Sequence, residues 1–200
     1  MLLNRVEYAL MNNALRALIQ QRFEAQRLLA MGGKTEGAAA LEVGCGRGVG
    51  VEIILDTFGA QHVDAFDLDE RMVRLAKQRT KRRGDSANIW VGDVTSIPQP
   101  DNRYDAVFDF GIIHHVPNWR DAVSEIHRVL KPHGRLYAEE VFGGFLNRFP
   151  WRELFTHPRE DRFDFKQFSA ALAEAGFEVL ATSQWRGDFG WFLARKGGRL

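Results

Sequence analysis

Three glycines at alternate positions, Gly44, Gly46 and Gly48, are the residues best placed to bind a ligand. Leu41 to Val43 precede them like the end of a strand, and apolar residues at helical spacing follow from Val49 to Phe58. Because glycine takes a positive φ without a Cβ clash, such a run forms a tight turn that a ligand can approach closely. The segment therefore predicts a strand, a glycine loop and a helix whose backbone N–H groups point at a nucleotide.

The spacing of these glycines distinguishes between kinds of nucleotide site. The G-x-G-x-x-G pattern of dinucleotide-binding dehydrogenases is not met, because its third glycine would fall on Val49 or on Val51. A phosphate loop is not met either, since no Lys-Ser or Lys-Thr pair follows the glycines. An NAD-dependent oxidoreductase is therefore disfavoured. Glu42 is an acid late in a buried strand, a position that is costly unless its carboxylate is satisfied. Beneath the glycine loop it can order loop N–H groups or water, and the alternative is a solvent-facing residue at the sheet edge.

Acidic residues also end the next two strands of the chain. The strand that begins at His62 ends at Asp67, about twenty residues beyond the glycine loop, where a βαβ unit places a carboxylate beside the ribose of a nucleoside. Leu68 then offers an apolar contact. At the end of the third strand, Asp93 is placed to accept a hydrogen bond from an exocyclic amino group, and Val94 to donate its N–H to a ring nitrogen. Taken alone, Asp93 is equally typical of a turn.

Together, the E-x-G-x-G-x-G pattern and two later motifs resemble the class I S-adenosylmethionine-dependent methyltransferases. The resemblance is strongest to the branch that contains the ubiquinone and menaquinone C-methyltransferases, and it spans residues 38 to 142. It departs from the family at His133, which replaces a glycine, and at Asp109, where the family carries a small or neutral polar residue. The later motifs are Ile113-His114-His115-Val116-Pro117-Asn118 and Leu130-Lys131-Pro132-His133-Gly134-Arg135-Leu136.

The resemblance implies S-adenosylmethionine as the cofactor and S-adenosylhomocysteine as its product. Asp67 is expected to bind the ribose, and Asp93 with Val94 to bind the adenine. Cys45 is interpreted as a small spacer in the loop rather than as a nucleophile. The expected cofactor-binding residues are Glu42, Gly44, Cys45, Gly46, Gly48, Asp67, Leu68, Asp93, Val94, Phe110 and Gly111.

Two residues near the fourth strand are candidates for catalysis. Methyl transfer from a sulfonium is an in-line displacement that needs a general base only where the acceptor loses a proton. His115 follows the fourth strand, close to the expected position of the methyl group, and its imidazole is a candidate base, although the family motif also allows a structural role. Asp109 would bind the methionine ammonium or an amine acceptor, or would instead cap the turn.

These elements predict a single α/β domain, a Rossmann-like three-layer sandwich with a mostly parallel seven-stranded sheet. The last two strands, Phe177 to Ala181 and Phe189 to Ala194, are close enough in sequence to form a hairpin, so the last strand is antiparallel. We expect a helical cap or lid over residues 1–33, a cofactor-binding core over 34–142, an acceptor-pocket insertion over 143–165, and a final helix with the hairpin over 166–200.

The two regions that flank the core bear on the acceptor. An apolar stripe in residues 1–31 predicts a helix that caps the sheet, closes over the active site or lies on a membrane surface, although its polar face carries Asn and Gln rather than Lys. The insertion is rich in aromatic residues. We expect these either to line a pocket for an apolar or planar acceptor, or only to cover the sheet. These residues are Phe145, Phe149, Trp151, Phe155, Phe163 and Phe165, with His157, Arg152 and Arg159 as possible polar contacts.

Composition narrows the classes of protein further. A content of 45% hydrophobic and 26% charged residues is ordinary for a globular chain, and a net charge of +1 gives no overall field for nucleic acid. The single cysteine, Cys45, excludes an internal disulfide and a cysteine-cluster metal site. We find neither an apolar run long enough to span a membrane nor an N-terminal signal for export, so we expect a cytoplasmic protein. The basic run from Lys77 to Arg83 is interpreted as a solvated helix end.

The sequence therefore predicts a methyltransferase that acts on a small, partly apolar or aromatic acceptor and uses no metal. One alternative is a non-catalytic protein that binds S-adenosylmethionine. The other is a methyltransferase acting on RNA or protein, which is disfavoured because an N-P-P-[FY] motif is absent. The sequence indicates neither the acceptor atom nor the oligomeric state.

Overall fold

One seven-stranded sheet organises the computed structural model, which describes residues 13–146 and 162–198. The strand order is β3-β2-β1-β4-β5-β7-β6. Strand β7 runs antiparallel to β5 and β6, and the other paired strands are parallel. The predicted sheet and its reversed last strand are confirmed. The strands are β1 (Ala39–Val43), β2 (His62–Asp67), β3 (Ala87–Val91), β4 (Tyr104–Phe110), β5 (Leu130–Val141), β6 (Phe177–Trp185) and β7 (Phe189–Lys196).

Helices cover both faces of the sheet and give the three layers. One face packs against α2, α3 and α4 through buried residues such as Leu28, Ile54 and Val73, and the other packs against α5 and α7 through Ile126 and Leu172. The helices are α1 (Ala14–Ile19), α2 (Ala25–Gly32), α3 (Val49–Asp56), α4 (Glu70–Thr80), α5 (Trp119–Val129), α6 (Gly143–Leu146) and α7 (Phe165–Glu174), with a π-helical segment at Gln20–Glu24 and 3₁₀ turns at Lys81–Ser86 and Ile113–His115.

The basic run lies at the end of α4, where the sequence analysis placed a solvated helix end. Arg79 Nη1 lies 2.9 Å from Glu52 Oε2 of α3. Arg83, in the 3₁₀ turn that follows α4, pairs with Asp56 at the end of α3. These cations therefore tie α4 to α3 at the surface. Within residues 13–146 and 162–198, no helix is long and apolar enough to cross a bilayer.

The sequence pattern predicts a fifth strand over Leu136 to Phe142, and in the structure this strand begins six residues earlier, at Leu130. Leu130 already pairs with Tyr104, and the register shifts before Arg135 pairs with Ala106. His133, within this irregular stretch, has a φ of +66°, which explains why the family carries a glycine there.

The structure describes three of the aromatic residues of the insertion, Phe145, Phe163 and Phe165. Phe165 stacks on Phe192 of β7 with ring centroids 5.0 Å apart, and Phe145 contacts Phe189 of the same strand at 5.1 Å. Phe163 stacks on Phe168 of α7 at 4.9 Å. Phe145 and Phe165 therefore contact the sheet and Phe163 packs against a helix, and the acceptor-pocket role of the insertion stays a prediction. Phe149, Trp151, Phe155, His157, Arg152 and Arg159 lie outside the described residues.

Candidate active site

A cavity of about 370 Å³ opens at the carboxyl ends of β1, β2, β3 and β4. Strand order reverses here, because β1 lies between β2 and β4, and open α/β sheets bind ligands at such a point. The volume falls in the range of about 300–1,000 Å³ that is typical of small-molecule sites. The cavity therefore lies where the topology favours a ligand.

The glycine loop forms one wall of this cavity with its backbone. Cys45 N donates to Phe66 O at 2.8 Å, which ties the loop to β2. Gly44 and Gly46 line the cavity and have φ values of +67° and +50°. A Cβ on Gly46 would meet no atom within 4 Å, so the space above its backbone is open to a ligand.

Gly48 does not line the cavity, which corrects its expected role in binding. Its φ is +85° at the start of α3, and a Cβ would lie 3.0 Å from the Cα of Ala76 in α4. Glycine is required there because the backbone is left-handed and α4 packs closely against it.

Cys45 lines the cavity but is buried. Burial raises the pKa of its thiol well above the usual value, and the carboxylates of Glu42 and Asp67 raise it further. A nucleophilic cysteine needs a lowered pKa, so its environment agrees with the interpretation as a spacer.

Glu42 is buried beneath the glycine loop and reaches the cavity wall. Its Oε2 accepts no hydrogen bond from any described residue. Burial raises the pKa of Glu42 well above its usual value, and the nearby Asp67 and Asp109 raise it further. A cationic group entering the cavity would favour the charged carboxylate and pair with the orphaned oxygen.

Asp67 lies at the cavity wall at the end of β2. Its Oδ2 accepts from Gly46 N at 2.9 Å and its Oδ1 accepts from Asp69 N at 2.8 Å. Burial raises the pKa of Asp67, and these two hydrogen bonds oppose that rise. Because an ionised carboxylate has about four acceptor positions, two remain for hydroxyl groups of a ligand.

The ends of β2 and β3 add a polar edge beside an apolar surface. Asp93 Oδ1 accepts from Thr95 N at 2.9 Å and from Thr95 Oγ1 at 2.8 Å, so Asp93 does shape a turn. Asp93, Val94 and Leu68 all line the cavity, and Leu68 is half-exposed. A planar ring with hydrogen-bonding groups at its edge fits these neighbours.

The opposite end of the cavity is formed by the end of β4 and the turn that follows. Phe110, Gly111 and His115 line it, as the sequence analysis expected for the methionine end and the candidate base. His115 N donates to Ile112 O at 3.0 Å, which fixes the 3₁₀ turn. The partly buried imidazole of His115 therefore sits on a structured turn rather than on a free loop.

Asp109, a candidate for contact with the cofactor or the acceptor, does not line the cavity. Its side chain is fully buried, and Oδ1 accepts from Ile112 N at 2.9 Å. Burial raises the pKa of Asp109 well above its usual value, and the neighbouring Glu140 raises it further. Of the two alternatives left open by the sequence, capping the turn is the one observed.

Glu140 of β5 holds the same turn and was missed by the sequence analysis. Its Oε1 accepts from Ile113 N at 2.8 Å, and its Oε2 accepts from His114 N at 3.3 Å. The Oε2 atom also lies 2.6 Å from His114 Nδ1. Burial raises the pKa of Glu140 to about 7. The acid pair Glu139 and Glu140 in a strand was the available signal.

Helix α1 closes the cavity from above, through residues that no motif indicated. Arg16, Ala17 and Gln20 line the cavity. Arg16 Nη1 lies 2.6 Å from Glu24 Oε2, and Arg47 of the glycine loop donates to the carbonyl of Asn13. The N-terminal region thus contacts the glycine loop directly.

The central part of the chain matches a family model described as a methyltransferase domain, over residues 41–138. A probable S-adenosylmethionine-dependent methyltransferase of Mycolicibacterium smegmatis is 34% identical over 154 residues, covering 73% of this chain and 54% of that protein. A fatty-acid O-methyltransferase of the same species is 30% identical over 146 residues, covering 73% of this chain and 46% of that protein. The chain belongs to the class I S-adenosylmethionine-dependent methyltransferase family.

The chain spans about half the length of those two relatives. A solved S-adenosylmethionine-dependent methyltransferase from Aquifex aeolicus has the same fold, with a TM-score of 0.74 over 96% of this chain and 98% of that chain, at 20% identity. The cofactor of the family is S-adenosylmethionine. The orphaned oxygen of Glu42, the open backbone above Gly46 and the remaining acceptor positions of Asp67 fit its cationic centres and its ribose.

Substitution of Gly50 in α3 tests how closely the protein packs around Glu42. A Cβ on Gly50 would overlap Glu42 Oε1 and would lie 2.9 Å from Phe110 Cδ2. We expect Gly50→Ala to lower the free energy of unfolding by about 1–3 kcal/mol through overpacking, although alanine normally stabilises a helix. It should also weaken S-adenosylhomocysteine binding, because Glu42 and Phe110 line the cavity.

Chemical denaturation and calorimetry measure the two effects of Gly50→Ala. The matched control is Gly144→Ala in α6, where the nearest atom to a Cβ is Asp188 Oδ1 at 3.8 Å, and where we expect a change within about 0.5 kcal/mol. A Gly50→Ala protein as stable as the control would show that Glu42 has room to move away.

Proposed function

We propose that this chain transfers a methyl group from S-adenosylmethionine to a small acceptor that is at least partly apolar. The observation that carries the proposal is the continuity of the cavity, which joins the glycine loop and Asp67 to the turn that bears His115. Ile112, Val116 and Pro117 add apolar surface around that histidine. A cofactor held at one end and an acceptor held at the other would meet within a single site.

Each end of the cofactor has a proposed partner in the cavity wall. Asp67 would accept from the ribose hydroxyls, Asp93 and Val94 would bind the edge of the adenine, and Leu68 would cover its face. Glu42 would face the positive charge of the methionine end. The positions of these five residues at the cavity wall and the orphaned oxygen of Glu42 support these roles.

When bound, S-adenosylmethionine supplies an activated methyl group, so the protein mainly has to orient the acceptor and exclude water. His115 is the proposed general base for an acceptor whose hydroxyl or carbon must lose a proton, since its imidazole lies at the cavity wall. Helix α1 is proposed to act as a lid, because Arg16 and Gln20 line the cavity. Helix α2 acts instead as a cap, since Tyr137 Oη of β5 donates to Gly32 O at 3.1 Å.

The apolar character of the acceptor has two lines of support. The cavity wall also carries the apolar side chains of Ile112, Val116 and Ala17. One relative is a fatty-acid O-methyltransferase, whose name indicates an acceptor with a long apolar chain. We therefore place fatty acids and quinone precursors ahead of RNA and protein as acceptors.

The proposal is tested by transfer of a labelled methyl group from S-adenosylmethionine to a panel of acceptors. The panel contains fatty acids, quinone precursors, phenols and amines, with transfer RNA and a protein mixture as the competing classes. Labelled product from an apolar small molecule supports the proposal, and product from RNA or protein alone contradicts it. Binding of S-adenosylhomocysteine without turnover on any acceptor would favour the non-catalytic alternative.

Once an acceptor with an ionisable hydroxyl is found, His115→Ala tests the proposed base. We expect kcat to fall by about 10²-fold or more, because positioned general bases contribute about 10²–10⁴-fold. The affinity for S-adenosylhomocysteine should stay within about threefold, since the backbone of the turn is retained. The control is His133→Ala, a histidine far along the chain that does not line the cavity. An unchanged kcat in His115→Ala would assign His115 a structural role only.

A further inference from the structure

The outward face of α1 and the π-helical segment carries a row of large apolar side chains. Leu15, Leu18, Ile19 and Phe23 are 67%, 49%, 44% and 71% exposed. Their spacing of three to four residues aligns them along one side of α1 and the π-helical segment, for about 12 Å of helix. Exposed apolar side chains in a contiguous row are typical of an interaction surface, and we call these four residues the outer stripe.

The exposed charges within residues 13–32 are of one sign. Glu24 is the only acid in residues 13–32, and it is buried and paired with Arg16. Arg22 is exposed beside Phe23, and the guanidinium of Arg27 lies 4.4 Å from the ring centre of Trp191. The exposed charge of this segment is therefore cationic, which complements an anionic surface.

The inner face of the same helix forms part of the cavity. Arg16, Ala17 and Gln20 line the cavity, whereas Leu15 and Phe23 do not. A surface that contacts the outer stripe thus lies one helix diameter, about 10 Å, from the site. Apolar exposure, the exposed Arg22 beside it and a connection to a small-molecule cavity together resemble the geometry of helices that lie in the plane of a lipid interface.

We propose that the outer stripe docks this protein on the surface of an anionic phospholipid bilayer, with α1 lying in the interface. Leu15, Leu18, Ile19 and Phe23 enter the region between head groups and acyl chains, and Arg22 meets the anionic head groups. An apolar acceptor dissolved in the bilayer then reaches the cavity beneath α1, a step that rests on the proposed function. The docking itself requires no acceptor.

The test is flotation of the purified full chain with vesicles of phosphatidylcholine alone and of phosphatidylcholine mixed with phosphatidylglycerol. We expect the protein to float with the mixed vesicles and to partition at least about tenfold less onto phosphatidylcholine alone. The double variant Leu15→Glu with Phe23→Glu should lose at least about tenfold in partitioning, and Arg22→Glu should lose most of the preference for the anionic lipid. Leu180→Glu on β6 is the matched control, because Leu180 is 41% exposed on another element.

Three outcomes would overturn the docking proposal. Wild-type protein that floats with neither vesicle, or a double variant that floats as well as the wild type, contradicts it. A wild-type dimer in solution that the double variant dissociates would assign the stripe to a second copy of the chain instead. Calorimetry with S-adenosylhomocysteine on each variant separates the docking proposal from the proposed function. The stripe residues do not line the cavity, so each variant should bind S-adenosylhomocysteine as the wild type does.

Discussion

Replacing Asp67 by alanine is expected to weaken the binding of S-adenosylhomocysteine by about 100-fold or more. The carboxylate has two remaining acceptor positions after its bonds to Gly46 N and Asp69 N, and the ribose offers two hydroxyls. Hydrogen bonds to a charged group contribute about 1.5–3 kcal/mol each, so losing two costs at least about 3 kcal/mol. Each 1.4 kcal/mol corresponds to about tenfold in affinity.

Isothermal titration calorimetry measures this loss, and two further variants separate its causes. Asp67→Asn keeps a side-chain oxygen that can accept from Gly46 N, so a smaller loss in this variant reports the contribution of the charge. Asp56→Asn is the control, because Asp56 pairs with Arg83 at the surface of α3 and α4. If Asp67→Ala binds within about threefold of the wild type, the ribose is bound elsewhere and Asp67 only orders the loop.

The sequence was sufficient to predict the features on which the local pattern and the order of the strands agree. The glycine loop, the acids that end β2 and β3, and the closing hairpin depend on contacts between segments whose order a parallel sheet fixes. Asp67 is the clearest case, because a strand that follows a βα unit must end beside the loop. Its hydrogen bond to Gly46 N is the direct consequence.

The residues that the sequence misplaced depend on packing across the fold. Gly48 shares the spacing of Gly44 and Gly46, but only the approach of α4 decides that it faces Ala76 rather than the cavity. Arg16 of α1 lines the cavity at the carboxyl ends of the strands, and no local motif encodes that position. Successive side chains of a strand point to opposite faces, so Phe110 lines the cavity and its neighbour Asp109 does not. The motif alone did not show which of the two would face the cavity.

Glu140 has the second largest expected effect, because it connects β5 to the turn that carries His115. We expect Glu140→Ala to lower the free energy of unfolding by about 3 kcal/mol. The variant leaves the N–H groups of Ile113 and His114 without their buried acceptor, at about 1–3 kcal/mol each. It should also lower kcat by tenfold or more, through the loss of a fixed turn beneath His115.

The same residue predicts how stability depends on pH. Glu140 has a pKa of about 7 in the folded protein and a usual value of 4.5. Between these values the unfolded chain releases the proton while the folded protein keeps it, so the free energy of unfolding falls as pH rises from 4.5 towards about 7. The interval of about 2.5 pH units, at about 1.4 kcal/mol each, gives a loss of about 3 kcal/mol. Asp109, whose pKa is also raised, lies beside Glu140 and adds to the same trend, and His114 is the basic group that faces it.

Glu140→Gln separates the charge from the hydrogen bonds. The amide oxygen still accepts from the turn, but the group no longer titrates, so the fall in unfolding free energy between about pH 5 and about pH 8 should shrink by about 3 kcal/mol. Urea denaturation at the two pH values measures the difference, and Asp109→Asn, which removes the other acid of the pair, gives the comparison. If Glu140→Gln keeps the full dependence on pH, the proton resides on Asp109 and Glu140 is charged throughout. A kcat that falls in Glu140→Ala and recovers in Glu140→Gln would then identify the hydrogen bonds to the turn, rather than the charge, as what positions His115.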